Sequence, residues 1–363
     1  MIIALGTLAA LILILITAIN PAGAVIGFVL TTAAMAVVLL AYLWLDRWEP
    51  EPPRLLTLAF LWGASVAIVV SVILEVSFEA AVNPAATAES ESSFATVAIA
   101  APVIEEAVKG LFLLIMLTGR RRNEMNSLTD CLVYAGLIGA GFAWIEDIFY
   151  VAGGETVEAS LATAALRLVM GPFAHPLFTT FTAIGVYFAM KQRSGVAKAV
   201  CILAGYTGAV VMHGLWNGSA LLGPETYFGV YLFWMMPVFV LAITLGVHSR
   251  RREQRVVADK LAGMVAAGLV MPNEATWLGS IRNRKLAIAA VRGSAGKDAA
   301  RATRGFATSV VELAFVRDRI DRGFGDERVQ ALLNEDTQAV YVARAAAGPA
   351  LQWLAGYRAP GSR

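Results

Sequence analysis

Long apolar stretches separated by short polar ones set the rhythm of this chain. Eight apolar runs of roughly 18 to 24 residues, each able to cross a hydrocarbon core of about 30 Å, lie near residues 2–19, 23–45, 55–75, 94–117, 131–152, 169–190, 199–221 and 227–247. Beyond HSRRREQR the pattern changes. The segments NEATWLGSIRNRKLAIAAVRG, AARATRGFATSVVELAFVRDRI and DERVQALLNEDTQAVYVARAAA repeat apolar residues at helical spacing between Gly, Pro and Ser, which predicts three to five amphipathic helices. The expected fold is all-α: a polytopic transmembrane bundle of about eight spans over residues 1–248, then a small basic helical region over 249–363. The first run has no Lys or Arg before its apolar core and is as long as a span, so it reads as a transmembrane helix rather than a signal peptide.

Composition agrees with a membrane protein, with 58% hydrophobic and 15% charged residues and a mean hydropathy of +0.66. The net charge of +2 hides an asymmetry, because residues 1–248 hold 10 Lys/Arg against 16 Asp/Glu and residues 249–363 hold 19 against 11. A solvated tail beside anionic lipid accounts for that excess, and no nucleic acid is expected as a partner. Lys and Arg are retained on the cytoplasmic side of a membrane. With both termini inside the cell membrane, Arg47, Arg54, Arg120, Arg121, Arg122, Lys191, Arg193, Lys198, Arg250, Arg251, Arg252 and Arg255 are cytoplasmic, and only Arg167 falls outside. The loops then placed outside are SFEAAVNPAATAESESS, free of Lys and Arg, and the acidic GGETVEAS. Cys131 and Cys201 stand 70 positions apart with no metal-ligand spacing, and read as packing residues in a reducing compartment.

Four spans carry what lipid excludes: Glu105, Glu106 and Lys109 on the fourth, Glu146 and Asp147 on the fifth, His175 on the sixth, and His213 with Asn217 on the seventh. Each charge costs about 2.5 to 3.5 kcal/mol at mid-membrane on insertion scales, so the set implies mutual pairing and a function. At about 1.5 Å of rise per residue, Glu105 lies roughly 18 Å from the cytoplasmic end of its helix, Glu146 and His175 about 22 Å, and His213 about 21 Å. Helices of alternating direction therefore deliver these groups to one layer in the outer half of the bilayer.

Lys109 is four residues from Glu105 and three from Glu106, so its ammonium reaches either carboxylate, while the two carboxylates diverge by about 100° around the axis. One glutamate is then free to take a proton from water. His213 and Asn217, one turn apart, are suited to receive the oxyanion formed when water attacks a peptide carbonyl. Pro172 and Pro176 flank His175 and are expected to break or kink the start of its helix, opening space for water and substrate. Simpler readings hold for other residues. His248 beside its arginine run is interfacial, and Met170, Met190, Met235 and Met236 form no cofactor box. Asp147 suits packing as well as the site.

EEAVK, GFAWIEDIFY, the histidine of GPFAHPLFTTFTAIG and HGLWN, in that order on successive spans, resemble the PrsW family of intramembrane proteases. DRWEPEPPRLLTLAFLWG resembles the family's segment before the active-site helices, and the likeness covers roughly residues 40–245. The resemblance implies a peptidase, related to the CAAX-processing and bacteriocin-processing membrane proteases, in which a glutamate and a histidine act on water. Glu105 and Glu106 match the paired glutamates, Lys109 the lysine, Glu146 the fifth-helix glutamate, His175 the sixth-helix histidine, and His213 with Asn217 the HxxxN pair. The family usually has Asn where this chain has Asp147, which adds a charge. The implied substrate is a single-pass regulatory membrane protein of the anti-sigma-factor kind, cut near its extracytoplasmic face.

No HExxH motif is present, which favours catalysis without a cofactor; zinc held by His175, His213 and Glu146, with Glu105 as base, is the alternative. The same buried Glu, His and Lys residues would also serve a proton- or ion-coupled transporter, although the halves show no inverted repeat. A noncatalytic scaffold with a recruiting tail is the third reading. The expected partners are the bilayer and a membrane-protein substrate, with no soluble cofactor.

Overall fold

The computed structural model describes residues 1–85, 92–323, 325 and 327–357. Residues 86–91 of the loop after the third span and residues 358–363 of the tail lie outside the described residues. Every regular element among the described residues is helical: α1 (Ile2–Ile19), α2 (Pro21–Leu45), α3 (Pro53–Val82), α4 (residues 96–116), α5 (Leu128–Ala152), α6 (residues 157–170), α7 (Ala174–Met190), α8 (Gly195–Leu221), α9 (Pro224–Ala266), α10 (Pro272–Leu278), α11 (Ile281–Asp321) and α12 (Glu327–Leu354). Seven helical stretches, α1, α2, α3, α5, α6 with α7, α8 and α9, are long and apolar enough to cross a membrane. The eighth expected span, α4, falls outside that set because Glu105, Glu106 and Lys109 interrupt its apolar sequence. Two expected boundaries shift. Gly171, Pro172 and Phe173 form a turn that splits the sixth span into α6 and α7, and α9 continues to Ala266 through the charged run because Arg, Glu and Gln are good helix formers.

The chain divides into two compact units, residues 1–46 with 51–246, and residues 47–50 with 247–363. In the first, α5 is the hub, with 89% of its apolar window buried against 6% for α1 and 11% for α8. Its Ala135, Gly136, Gly139, Ala140 and Gly141 are small enough for neighbouring backbones to close in. A Cβ on Gly141 would lie 2.0 Å from the Phe60 carbonyl, so α3 and α5 touch through backbone there. Ser127 caps α5 in a reciprocal box with Asp130. At its other end Asn20, the N-cap of α2, donates to the carbonyls of Ala152 and Gly154, each at 2.9 Å.

The acidic turn before α3 is closed by its own residues. The Glu51 amide donates to the Asp46 carboxylate at 3.1 Å and Tyr134 Oη donates to Glu51 at 2.6 Å. Burial pushes the Glu51 carboxyl up to about 11, with Asp130 and Asp46 adding to the effect, and burial raises Asp46 to about 7. In the second unit Trp48, Val257, Leu261, Trp277, Phe306, Val310, Val340 and Leu354 form a separate apolar core. Its long helix α11 bends at Gly296, whose φ of 86° only glycine adopts without strain.

Candidate active site

Four helices build the polar centre of the first unit. Four-residue spacing on α4 turns Glu105 and Lys109 the same way, and Lys109 Nζ donates to Glu105 Oε2 at 2.8 Å and Glu106 Oε1 at 3.0 Å. The turn at residues 171–173 restarts the chain as α7, with His175 in the first helical turn and Pro176 just after it, where a missing N–H costs nothing. Gly139 admits that turn to α5: a Cβ there would lie 2.5 Å from the Pro176 nitrogen and 2.7 Å from the His175 carbonyl carbon. Gly214 does the same between α8 and α4, with a Cβ 2.8 Å from the Ala98 carbonyl oxygen. Small residues thus carry both imidazoles to the carboxylates.

Glu105, Glu106, Lys109, His175 and His213 are 3%, 0%, 0%, 6% and 1% exposed. Glu106 is held on every side, by Lys109, by His213 Nδ1 at 3.2 Å and by Thr179 Oγ1 at 3.2 Å. Glu105 is held only by Lys109, and its Oε2 lies 3.9 Å from both His175 Nδ1 and His213 Nε2. The partners fix the tautomers. An ammonium has only donors to offer, so His175 Nδ1 accepts from Lys109 at 3.0 Å and Nε2–H donates to Glu146 Oε2 at 2.7 Å. His213 donates from Nδ1 to Glu106, which leaves the Nε2 lone pair on the side of Glu105. Aromatic rings enclose the cluster: Lys109 Nζ lies 3.7 Å from the Phe142 centroid, and Phe178 stacks on His213 at 4.6 Å.

A cavity of about 500 Å³ opens onto Glu105, Glu146, His175 and Asn217. A second, of about 720 Å³, shares Tyr150, Arg167, His175, Trp216 and Asn217 with it and runs toward the start of α9. The predicted residues therefore take different stations. Glu105, Glu106, Lys109, His175 and His213 form one cluster, and Glu146 joins it through His175. Asp147 adjoins through Arg167, which donates to it from Nε at 2.5 Å and pairs with Glu146 through Nη2. Asn217 and His213 do not act side by side as their spacing suggests. Asn217 donates to the Val97 carbonyl at 3.1 Å and lines the cavity, whereas the His213 ring is turned inward to Glu106.

The zinc set expected from sequence also differs. Among the described residues, the donor atoms lying within 4.8 Å of one another belong to Glu105, Glu106, His175 and His213, while Glu146 is held by Arg167 and by His175 Nε2. Two carboxylates and two imidazoles suit zinc in type. Lys109 Nζ lies within 3.0 Å of three of these groups, so ammonium and metal compete for one set of donors. Arg167, Thr179, Phe142 and Phe178 were not among the sequence candidates. Arg167 had a signal, as the single cation among the loops placed outside, and Thr179 stands one turn from His175.

A family model described as PrsW family intramembrane metalloprotease matches residues 51–242. Protease PrsW of Geobacillus kaustophilus (strain HTA426) is 26% identical over 219 residues, covering 60% of this chain and 88% of that protein. No solved structure matches. The match starts at Glu51, takes in α3, the whole polar centre and the first part of α9, more than half of the chain, and the chain belongs to the PrsW family of intramembrane proteases.

Proposed function

We propose that this peptidase hydrolyses a bond in a single-pass regulatory membrane protein, near its extracytoplasmic face, with Glu105 as the base that activates water. The observation that carries the reading is the difference between adjacent carboxylates. Glu106 has its acceptors filled by Lys109, His213 and Thr179, whereas Glu105 faces the cavity with one donor. Glu105 and the free lone pair of His213 are 3.9 Å apart, a separation that one water bridges. Glu105 takes the proton as water attacks the carbonyl and the electron pair moves onto the carbonyl oxygen; as that pair returns and the C–N bond breaks, Glu105 gives the proton to the departing amine. Lys109 keeps the paired carboxylates together, and His175 holds Lys109 from the other side while anchored by Glu146.

Of the two residues expected to receive the oxyanion, Asn217 stands at the cavity with one N–H beyond its bond to Val97, and His213 positions Glu106 instead. Cavities on both sides of Asn217 and His175 give an extended peptide room to pass through. The first reaches Pro84 and Ser92 at the loop after α3, which supports cleavage near that end of the bundle. With both termini cytoplasmic, that end is extracytoplasmic. Zinc, if taken up, would be held by Glu105, Glu106, His175 and His213 and would supply Lewis-acid polarisation.

The test compares membrane proteomes from cells making the wild-type protein or Glu105→Gln. One single-pass protein whose fragments depend on Glu105 supports the proposal, and identical fragments from both proteins refute the role of Glu105.

A further inference from the structure

One wall of the cavity before Glu105 is a single face of α3. Val72, Glu75, Val76 and Glu79, within two turns of the helix, line it, with Asn83 at its C-cap. The carboxylates around this space have their partners, with one exception. Glu105 has Lys109, and Glu146 has Arg167 and His175. Glu79 accepts from Ser93 Oγ at 2.7 Å, from Asn83 and from Thr96. Glu75 Oε1 is buried and meets no donor. Among the described residues, Arg167 is the one cationic side chain in the wall of this cavity, and its Nε and Nη2 are spent on Asp147 and Glu146. One buried carboxylate oxygen of this wall therefore lacks a donor, beside the group that activates water.

We propose that Glu75 is the acceptor of a subsite for a cationic side chain, lysine or arginine, carried by the peptide substrate close to the bond that is cut. Val72, three residues before Glu75, and Val76, the residue after it, both in the wall, offer apolar surface to the methylene stem. The ammonium or guanidinium head reaches the carboxylate, the arrangement by which long basic side chains tolerate lipid. A charge pair formed on binding gives specificity by leaving a half-buried carboxylate unpaired whenever the wrong residue is presented. The inference rests on the peptidase reading with Glu105 as base, and it adds what that reading lacks, a chemical preference in the sequence that is cut.

The experiment maps new N-termini in membranes from cells making wild-type protein or Glu105→Gln, then rebuilds each Glu105-dependent junction as a single-pass reporter. The expected junctions carry Lys or Arg within about four residues of the cut, the length of extended chain such a cavity holds. Glu75→Gln, and separately Lys→Gln or Arg→Gln in the reporter, each slow cleavage about tenfold or more, and the two together slow it no further than either alone. Glu75→Lys reverses the preference, cutting a reporter with glutamate at that position faster than the parent. Should Glu75→Lys not fold, the Gln cycle decides alone. Junctions without a nearby basic residue overturn the subsite. So does a Glu75→Gln protein that slows every reporter by the same factor whatever its charge, as a group passing protons to Glu105 would. Absence of any Glu105-dependent junction sinks the peptidase reading and the subsite with it, and that failure is visible before any Glu75 variant is compared.

Discussion

Arg167 is the cation on which two acidic side chains of α5 depend, and its removal gives a sharp test of the charge pairing. The guanidinium is 24% exposed, against 14% for Glu146 and 5% for Asp147. At an effective dielectric of about 20 and a charge separation of about 4 Å, each ion pair gains about 4 kcal/mol before desolvation. Breaking a buried pair from one side leaves an uncompensated charge and costs about 3 to 5 kcal/mol. Arg167→Met strands Asp147 and leaves Glu146 with His175 alone, and the partial exposure of Arg167 puts the expected loss near the lower end, about 3 kcal/mol. Asp147→Asn leaves Arg167 its bond to Glu146 and is expected to cost about 1 kcal/mol. The double variant keeps Glu146 bonded to His175 and buries no second charge. It should therefore be about 1 to 2 kcal/mol more stable than Arg167→Met, a coupling of at least about 2 kcal/mol. Reversible denaturant unfolding in micelles, with all four proteins measured at one pH and salt concentration, gives the cycle. Additive losses, or a cost below about 1 kcal/mol for Arg167→Met, would refute the pairing argument.

Four further outcomes follow from the geometry. Glu51 keeps its proton in the folded protein up to about pH 11 while an unfolded glutamate loses it near 4.5, so its stabilising effect is complete below 4.5 and declines as pH rises toward 11. Glu51→Gln should flatten the fall of stability over that window by up to about 1.4 kcal/mol per pH unit, and an unchanged slope removes the argument. Gly214→Ala places a methyl 2.8 Å from the Ala98 carbonyl and separates His213 from Glu106; cleavage should fall about tenfold by misplacement, while Gly195→Ala, which meets nothing within 4 Å, serves as the silent control. Asn217→Ala should lower kcat about 10²-fold to 10³-fold with little change in KM, and an effect on KM alone would assign Asn217 to substrate binding. Lys109→Met removes the ammonium that competes for the four donors, so the variant should retain more zinc after dialysis than wild-type protein, and equal metal content shows that no competition exists.

Hydropathy and charge made much of this molecule legible in advance. Spans four to seven announced themselves because ionisable residues in apolar runs are costly enough to require a shared purpose, and the rise per residue put Glu105, Glu146, His175 and His213 at one depth. Side-chain direction was less legible. His213 and Asn217 share a helix face, yet one bonds inward to Glu106 and the other to the Val97 carbonyl, because α4 crosses close to α8 at Gly214 and captures the ring first. The zinc ligand set differed for a similar reason. Choosing Glu146 requires knowing that it is free, and Arg167 and His175 already hold it. The prolines around His175 marked the α6/α7 break, whereas the length of α9 was not legible, because hydropathy measures apolar length and a helix ends on backbone chemistry.

The Asp147 and Arg167 pair shows what such a sequence can still yield. Arg167 is the one cation assigned to the outer loops, against the charge bias of every other loop, and Asp147 is a second acid directly beside Glu146. Each is costly alone, because a buried ion needs a counterion close by. Lys109 is already shared by Glu105 and Glu106, so the only Lys or Arg of residues 1–248 left on that side of the bundle for the acids of α5 is Arg167. The structure pairs the two, with Arg167 Nε 2.5 Å from the Asp147 carboxylate. Asp147 and Arg167 thus offset each other's charge, and the same accounting leaves Glu75, among the described residues lining the first cavity, as the carboxylate with a buried oxygen that no donor meets.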